Sequence, residues 1–497
     1  MSESSEKKFS LPILTAMVVG SMVGSGIFML PRRFGEATGV AGALIAWVIA
    51  GTGMFMLARV VQTLAVRKPE LDAGVYAYAK EGFGDYAGFL SALGYWAGTC
   101  IGNVSYFVLI MSTFGLIKYT LVGRTYVIVG DRYSLGGQLE LFGAGDTVAA
   151  VVFSSIILWA VHFMVLRGVK QAAAINTIAT VAKIIPIVLF LVFVAFGFKA
   201  DLFTASFWGG QEASVASIYG QVRATMAVTL FVFLGVEGAS VYSRYAKRRE
   251  DVGAATIMGF LGVLCLMVLI TLLSYGALAR PDLAGMRQPS MAGVLEAVVG
   301  PWGALFISIG LIISVLGAFL SWTLLAAEVL WTAAKTKDMP TFFARENRNG
   351  APAAALWLTN AMVQVFLIAT LFSADALRLM VDLTGAMSLI PYLLMALFGL
   401  MLAWHGQSNG EAAAQQRGEL VRAAVATVYT AFLIYALGMK FLLLSAIIYA
   451  PGTLLYIWAR REQQRRIFSS SEWVVFLVAT VGAAVGIYGL ATGSIAI

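Results

Sequence analysis

The sequence has few charged side chains. Only 12% of its 497 residues are Asp, Glu, Lys or Arg, whereas 60% are hydrophobic. A soluble globular domain carries about a quarter charged residues, so this composition excludes an ordinary soluble protein. Apolar runs long enough to cross a bilayer recur along the chain, and the alternating strand pattern of a membrane β-barrel is absent. The sequence therefore predicts an all-α polytopic membrane protein.

The chain is also poor in the residues that hold metals and carry out catalysis. It contains two cysteines, Cys100 and Cys265, and two histidines, His162 and His405. Their spacing fits neither a metal site nor a disulfide framework, and no phosphate-binding loop is present. Paired acid and base groups at one depth are missing, as are the repeated pore-lining motifs of a channel. We therefore expect no metal, no cofactor, no ATP-driven step and no enzyme activity.

Thirteen apolar runs predict thirteen membrane spans. The first is not a cleavable signal, because glycines and a proline interrupt it and Arg32 and Arg33 follow directly. The run at 302–334 is the longest and fits a tilted or protruding helix. The predicted spans are 10–31, 39–64, 86–116, 147–166, 171–197, 218–244, 253–279, 302–334, 352–373, 377–404, 418–438, 440–459 and 473–493.

The distribution of basic residues predicts the orientation of these spans. With residues 1–9 in the cytoplasm, the cytoplasmic segments hold 21 of the 34 Lys and Arg residues and the outer segments hold 11, as positively charged loops prefer. This bias accounts for the net charge of +8, so we expect anionic membrane lipids and no nucleic acid as partners. We expect a ten-span transport core over 10–404, a cytoplasmic loop over 405–417 and three additional spans over 418–497.

Two spans contain glycines where a membrane helix should be uninterrupted. Span one reads "GSMVGSGIFMLP" over 20–31, and span six reads "TLFVFLGVEGASVYSR", with Gly235, Glu237 and Gly238 in mid-run. In a core of two five-span halves, these spans occupy corresponding positions, which is typical of a transporter's binding site. Unwound backbone offers free N–H and C=O groups for a carboxylate and an ammonium, the two charged groups of an amino acid. Close helix packing at small residues is the alternative.

Four motifs resemble the amino acid–polyamine–organocation superfamily: "GSGIFMLP", "GYWAGTCIGN", "FLGVEGASV" and "LSWTLLAAE" in spans one, three, six and eight. The stretches "RKPELDAGVYAYAKEGFGDY" and "SMAGVLEAVVGPWGA", with the span count, resemble the arginine/ornithine exchangers among the basic amino acid/polyamine antiporters. The resemblance implies a leucine-transporter-type five-plus-five inverted repeat with broken spans one and six. It also implies arginine/ornithine exchange by alternating access in a bacterial inner membrane, and a homodimer. Lysine, histidine or arginine/agmatine exchange and a proton-coupled permease remain alternatives.

Span one and Glu237 are the first candidates for substrate binding. The resemblance implies that unwound backbone at Gly24, Ser25 and Gly26 receives the carboxylate and amino group of the substrate. An ionisable side chain at mid-membrane is costly, and no basic residue lies within a turn of Glu237. A cationic substrate is its natural counter-ion, and a structural ion pair is the alternative. The resemblance adds a role for Glu237 in coupling.

The resemblance places four further side chains around the substrate. Asn103 of span three and Trp322 of span eight would contact the substrate side chain, and Thr384 would lie near its distal end. Phe231 occupies the place of a tryptophan in arginine/agmatine exchangers, and its ring face attracts a cation. For Asn103 the alternative is a hydrogen bond between helices, and for Phe231 it is packing.

Three residues outside this group are candidates for gating or coupling. The resemblance implies that the Lys183 ammonium takes the place of a sodium ion and steadies span one, so that transport needs no sodium. Tyr95 lies two turns before Asn103 on one helix face, at the periphery of the site. Glu328 is either a second carboxylate of the cation pathway or, as we favour, a partner of Lys335.

Overall fold

The computed structural model is an assembly of long helices with one β-hairpin. Because the bilayer core offers no water, backbone N–H and C=O groups must pair within the protein, and helices achieve this within each segment. The described residues are 10–68, 70–71, 75–122, 127–129, 132–134, 142–167, 169–210, 213–237, 247–248, 250–405 and 413–495.

The elements follow one another in the order of the predicted spans. The hairpin pairs β1 with β2 in antiparallel register, with Val127 opposite Ser134. The α-helices and strands are α1 (Leu11–Met22), α2 (Gly26–Ala37), α3 (Val40–Arg67), α4 (Val75–Phe83), α5 (Asp85–Val122), β1 (Val127–Val129), β2 (Arg132–Ser134), α6 (Val148–Arg167), α7 (Val169–Phe196), α8 (Ala200–Ala205), α9 (Val215–Phe233), α10 (Glu250–Ala277), α11 (Arg280–Ala284), α12 (Ser290–Val299), α13 (Pro301–Lys335), α14 (Ala353–Ala369), α15 (Ala376–Trp404), α16 (Ala413–Leu437), α17 (Met439–Glu462) and α18 (Ser470–Ala491).

Most of these helices are long and apolar enough to span a membrane. Among the described residues eleven helices meet that condition, and α1 with α2 makes a twelfth, broken span. Helix α7 coincides with the predicted fifth span, and its stretch Ala182–Phe196 is apolar. The longest predicted run corresponds to α13, whose 35 residues extend about 52 Å at 1.5 Å per residue. The all-α polytopic class is thus confirmed. The predicted cytoplasmic N-terminus over 1–9, the end of the predicted sixth span over 238–244 and part of the predicted cytoplasmic loop, 406–412, lie outside the described residues.

The first span is broken where the glycines predicted it. Helix α1 ends at Met22, α2 begins at Gly26, and their axes are bent by 46°. At the break the Gly24 N–H donates to the Met22 carbonyl at 3.0 Å, which interrupts the regular i to i−4 pattern. Pro31 does not cause the break, because it lies buried inside α2.

The sixth span also stops in mid-run, and the two breaks touch each other. Helix α9 ends at Phe233, and a turn over 234–237 follows, in which Gly235 has φ of +100°. A Cβ atom at Gly235 would lie 2.8 Å from the Ser21 carbonyl carbon, so only glycine permits this approach. The Ser21 hydroxyl donates to the Gly235 carbonyl at 2.8 Å, which joins the breaks directly.

Helix α5 is the centre of the bundle, and the C-terminal helices lie at its edge. The apolar stretch of α5 is 94% buried, and α5 packs against α13 and α15. The corresponding stretch of α18 is only 17% buried, and α18 packs mainly against α17. Side chains of α5 nevertheless reach both breaks, because Tyr95 contacts Glu237 and Tyr106 lies against Gly24.

Candidate binding site between the broken helices

A small cavity lies where the two breaks meet α5, α13 and α15. Its volume is about 30 Å³, enough for water and far below the size of an amino acid. The site is therefore closed in this conformation and must widen to admit such a ligand. The lining residues are Ser21, Met22, Gly24, Ser25, Gly26, Tyr95, Thr99, Gly102, Asn103, Tyr106, Phe231, Val232, Leu234, Glu237, Trp322, Thr384 and Ser388.

The structure brings together residues that the sequence places far apart along the chain. Tyr95, predicted at the periphery, lines the cavity, whereas Lys183 and Glu328 do not. All eight residues predicted to bind substrate are in the lining, namely Gly24, Ser25, Gly26, Asn103, Phe231, Glu237, Trp322 and Thr384.

The break in the first span presents unpaired donors to the cavity. Helix α2 begins at Gly26, and the first N–H groups of a helix have no partner within it and carry partial positive charge. The Ser25 hydroxyl is fully buried and has no hydrogen-bond partner among the described residues. A Cβ at Gly26 would lie 2.7 Å from a Val232 methyl carbon, so glycine lets α9 pack against the break. This end of the cavity suits an anion.

Glu237 is held by two tyrosines from distant helices. Its Oε1 accepts a hydrogen bond from the Tyr95 hydroxyl of α5 at 2.7 Å, and its Oε2 accepts one from the Tyr392 hydroxyl of α15 at 2.5 Å. The carboxylate is fully buried. Within the described lining, Glu237 is the single residue with a carboxyl group, and no lining residue has a cationic side chain. The group is therefore positioned by three elements and gives the cavity its negative end.

Trp322 and Asn103 flank the cavity from α13 and α5. The Trp322 indole N–H donates to the Ser21 carbonyl at 3.2 Å, and its ring centroid lies 6.4 Å from that of Tyr95. The Asn103 amide donates to the Thr323 hydroxyl at 3.3 Å. Its Oδ1 is buried without a partner among the described residues. A flat aromatic face and an open acceptor therefore border the same space.

Phe231 and Thr384 complete the wall. Phe231 lies at the end of α9, where one of its ring carbons would be 3.1 Å from a Cβ at Gly26. Thr384 of α15 faces α5, with its methyl carbon 3.2 Å from the position of a Cβ at Gly102. The Thr384 hydroxyl donates to the Met380 carbonyl at 2.7 Å, which leaves its oxygen as an acceptor toward the cavity.

Lys183 lies behind the break and holds the end of α1. Its buried Nζ donates to the carbonyls of Gly20 at 2.5 Å and Val23 at 3.0 Å. Gly20 lies in the last turn of α1 and Val23 directly follows it, where C=O groups lack helical partners. Among the described residues no three His, Cys, Asp or Glu side chains cluster as metal ligands. An ammonium thus satisfies the oxygen atoms of the broken segment.

The favoured pairing of Glu328 with Lys335 is wrong. Lys335 Nζ lies 3.7 Å from Glu346 and 3.7 Å from the centroid of the Trp331 ring. The Lys335 ammonium is thus directed toward the loop after α13 and toward Trp331, one turn away, and not toward Glu328, two turns back along the helix. Glu328 is half-buried and lies outside the cavity lining.

The sequence analysis did not identify several residues of the site. Tyr392 follows Thr384 by eight residues, and Tyr106 follows Asn103 by three, so each shares a helix face with a predicted residue. That spacing is the signal that could have identified them. Thr99 and Ser388 also line the cavity, but hydroxyl residues are common in membrane helices, where they bond to their own backbone.

Two helices that break in mid-membrane and meet at a buried cavity define the class of this protein: it is a secondary transporter. A family model described as amino acid permease matches residues 9–442. The chain therefore belongs to the amino acid permease family, within the amino acid–polyamine–organocation superfamily, as its motifs predicted.

Individual relatives agree with this assignment. The chain is 49% identical over 499 residues to a Pseudomonas aeruginosa protein named arginine/ornithine antiporter, with 99% of each chain covered. It is 40% identical to the L-lysine transport protein of Corynebacterium glutamicum, covering 99% of this chain and 97% of that one. The crystal structure of MhsT in complex with L-phenylalanine matches with a TM-score of 0.60 at 14% identity, over 85% of this chain and 98% of that chain. The predicted inverted-repeat fold is confirmed.

Proposed function

We propose that this protein is a secondary active antiporter that exchanges arginine for ornithine by alternating access. The observation that carries the proposal is the polarity of the cavity, with helix N–H groups at Gly26 and the carboxylate of Glu237 as its charged lining residue. An amino acid with a cationic side chain has a carboxylate that the N–H groups can bind, and it has positively charged groups that the Glu237 carboxylate can attract. The relative named arginine/ornithine antiporter supports the same substrate pair.

Each lining group then has a part in recognition. Backbone at Gly24, Ser25 and Gly26 binds the carboxylate and amino group of the substrate. The unpartnered Asn103 Oδ1 accepts from the side-chain cation, while the faces of Trp322 and Phe231 attract it through their π systems. Thr384 offers a further acceptor near the distal end of the substrate. Such acceptors and ring faces suit a guanidinium or an ammonium.

Alternating access requires the cavity to open to one side at a time. The Tyr95–Glu237–Tyr392 hydrogen bonds join α5, α15 and the sixth span, so their rupture on one side is the natural gating step. Lys183 holds the end of α1 and couples α7 to the same movement. A bound cation places a positive charge beside the buried Glu237 carboxylate, which favours movement of the loaded carrier, so exchange is favoured over empty return. Arginine and ornithine carry the same charge at neutral pH, and their exchange therefore needs no ion gradient.

The buried carboxylate also supports a second candidate, a proton-coupled amino acid permease. A proton on Glu237 would replace the substrate cation during empty return. Lysine stays a candidate substrate because of the relative named L-lysine transport protein, and histidine or arginine/agmatine exchange would use the same acceptors.

The cellular placement follows from charge and from the resemblance. The loop charge bias supports a cytoplasmic N-terminus in a bacterial inner membrane.

The resemblance supports a homodimer. The small buried share of α18 supports the division into a ten-span core over 10–404 and additional spans over 418–497.

Counterflow in proteoliposomes tests the function directly. Liposomes loaded with ornithine should accumulate labelled arginine, whereas empty liposomes should not, and unlabelled lysine, histidine, agmatine and putrescine should rank the competitors. Uptake into empty liposomes driven by a pH gradient would favour the permease. Failure of both arms in protein that is folded and inserted would contradict the proposal.

A further inference from the structure

Most hydroxyl groups that line the cavity donate hydrogen bonds to acceptors within the protein. Seven lining residues carry a hydroxyl. Five of them donate their hydrogen to a protein oxygen, namely Ser21, Tyr95, Thr99, Thr384 and Ser388. The Ser25 hydroxyl is buried without a partner among the described residues. The Tyr106 hydroxyl, in the cavity wall, makes no hydrogen bond to them either. These two hydroxyls are thus available to a ligand.

The hydroxyl of Tyr106 lies directly against the break in the first span. A Cβ atom at Gly24 would be 2.8 Å from the Tyr106 hydroxyl oxygen and 3.3 Å from the ring carbon that carries it. Tyr106 comes from α5, one turn beyond Asn103, and is almost fully buried. Its O–H group is therefore at the same end of the cavity as Ser25 and the free N–H groups of α2.

We propose that the Tyr106 hydroxyl donates a hydrogen bond to the substrate carboxylate and so makes the site select amino acids over the corresponding amines. This inference rests on the proposed function and deepens it, because it names the chemical feature by which the site chooses among cationic substrates. Arginine and ornithine carry the carboxylate, whereas agmatine and putrescine do not.

The chemistry of the lining explains why such a donor is needed. Within the described residues the lining contains no Lys or Arg that would form an ion pair with a carboxylate. An ionised carboxylate is an acceptor only and has room for about four hydrogen bonds. In a buried site every unmatched acceptor is penalised, so neutral O–H and N–H donors must satisfy it. For an amine that lacks the carboxylate, the Tyr106 and Ser25 hydroxyls and the α2 N–H groups would stay unpaired, which disfavours binding.

Tyr106→Phe tests the role, since it removes one oxygen and keeps the ring that packs in the site. A hydrogen bond to a charged group is worth about a tenfold change or more in binding. We expect the apparent Ki of arginine and of ornithine to rise about tenfold or more in counterflow. The Ki of agmatine, which leaves this hydroxyl unpaired, should stay the same or fall, and the Ki of L-argininamide, whose carbonyl is a neutral and weaker acceptor, should rise by less than that of arginine. Ligand-induced thermal stabilisation in detergent should report the same loss without transport.

Two matched variants separate this role from general effects. Tyr95→Phe, on the same helix, removes a hydroxyl that serves Glu237 and should impair transport of substrates with and without a carboxylate alike. Tyr488→Phe, at an exposed position of α18, should change nothing. Unchanged arginine affinity in Tyr106→Phe would overturn the inference, as would an equal loss for arginine and argininamide. If the wild-type protein exchanges another amino acid instead of arginine, the arginine/ornithine proposal fails, and the comparison is made with that amino acid and its amide.

Discussion

At the scale of single residues, Glu237 shows how a membrane protein keeps a buried carboxylate. Hydrogen bonds from Tyr95 and Tyr392 occupy both of its oxygens. Bonds to an ionised acceptor are stronger than neutral ones and offset part of the desolvation cost. The carboxylate is therefore oriented before a substrate arrives, and its orientation depends on two other helices.

Glu237→Gln should separate transport from stability. The amide keeps the size of the side chain and one acceptor oxygen but loses the charge that attracts a cation. We expect arginine/ornithine counterflow to fall about 100-fold, the equivalent of about 3 kcal/mol. Thermal unfolding in detergent should occur at the same or a higher temperature, because a neutral amide is buried at lower cost.

Glu296→Gln is the matched control for Glu237. Glu296 lies half-buried on the short helix α12, outside the cavity lining. The arginine/ornithine exchange rate of the Glu296→Gln variant should equal that of the wild type. Wild-type counterflow in Glu237→Gln would remove this residue from the proposed mechanism.

The Lys183 ammonium predicts that transport is independent of sodium. Because this ammonium donates to the Gly20 and Val23 carbonyls, we expect counterflow to be equal in sodium and in choline buffers. Lys183→Met leaves both carbonyls without this donor, so the variant should lose most of its exchange and unfold at a lower temperature. A strict sodium requirement of the wild type would contradict the prediction.

At the scale of elements, helix α4 and the start of α5 are joined by ion pairs to segments that follow much later in the chain. Lys80 Nζ lies 2.5 Å from Asp338 Oδ1, just beyond the end of α13. Asp85, the first residue of α5, pairs with Arg460 of α17 at 2.7 Å. The Tyr76 hydroxyl of α4 also forms a hydrogen bond with the Thr336 hydroxyl, at 3.2 Å. One of the C-terminal helices is therefore fastened to the start of the central helix α5.

Lys80→Met should lower stability in a pH-dependent way. Burial raises the pKa of Asp338 above its usual range, and the hydrogen bond and charge of Lys80 oppose that rise. Without Lys80 we expect a loss of about 1–2 kcal/mol, less than for a fully buried pair because Lys80 is partly exposed. A carboxyl group with a raised pKa prefers its protonated form in the folded state, so stability is gained as pH falls and lost as pH rises.

The thermal unfolding of Lys80→Met should therefore approach that of the wild type near pH 5 and fall furthest behind near pH 8. Lys68→Met is the control, because Lys68 pairs with the exposed side chains of Glu70 and Glu81. Exposed pairs contribute about 0–1 kcal/mol. A Lys80→Met deficit that does not vary with pH would contradict the assignment to Asp338.

At the scale of the whole molecule, the orientation in the membrane can be tested with two single cysteines. Ser214 precedes α9 and Ser471 lies in the first turn of α18, and both are exposed. In a background with Cys265→Ser, an impermeant maleimide should label Ser214→Cys on intact cells and Ser471→Cys only after permeabilisation. The buried Cys100 should not react. The reverse pattern would place the N-terminus outside.

Much of the fold and of the candidate site could be predicted from local sequence. Apolar runs located the helices, and the glycines at 20–26 located the first break, because helix geometry and bilayer thickness act over short stretches. The motifs identified Glu237, Asn103 and Trp322 as neighbours in space. The partner of Lys335 could not be predicted, because several acids are within reach in sequence and only the packing of the loop after α13 selects Glu346.

The sequence by itself determined that this chain is a helical membrane protein, which helices are broken, and which residue types are present for binding. Those properties follow from composition and from the period of the helix. Only the tertiary structure decided that Tyr95 and Tyr392 hold Glu237, that Lys183 fills the end of α1, and that the Tyr106 hydroxyl lies against Gly24. These contacts join residues tens to hundreds of positions apart, and which donor meets which acceptor is set by how the helices pack.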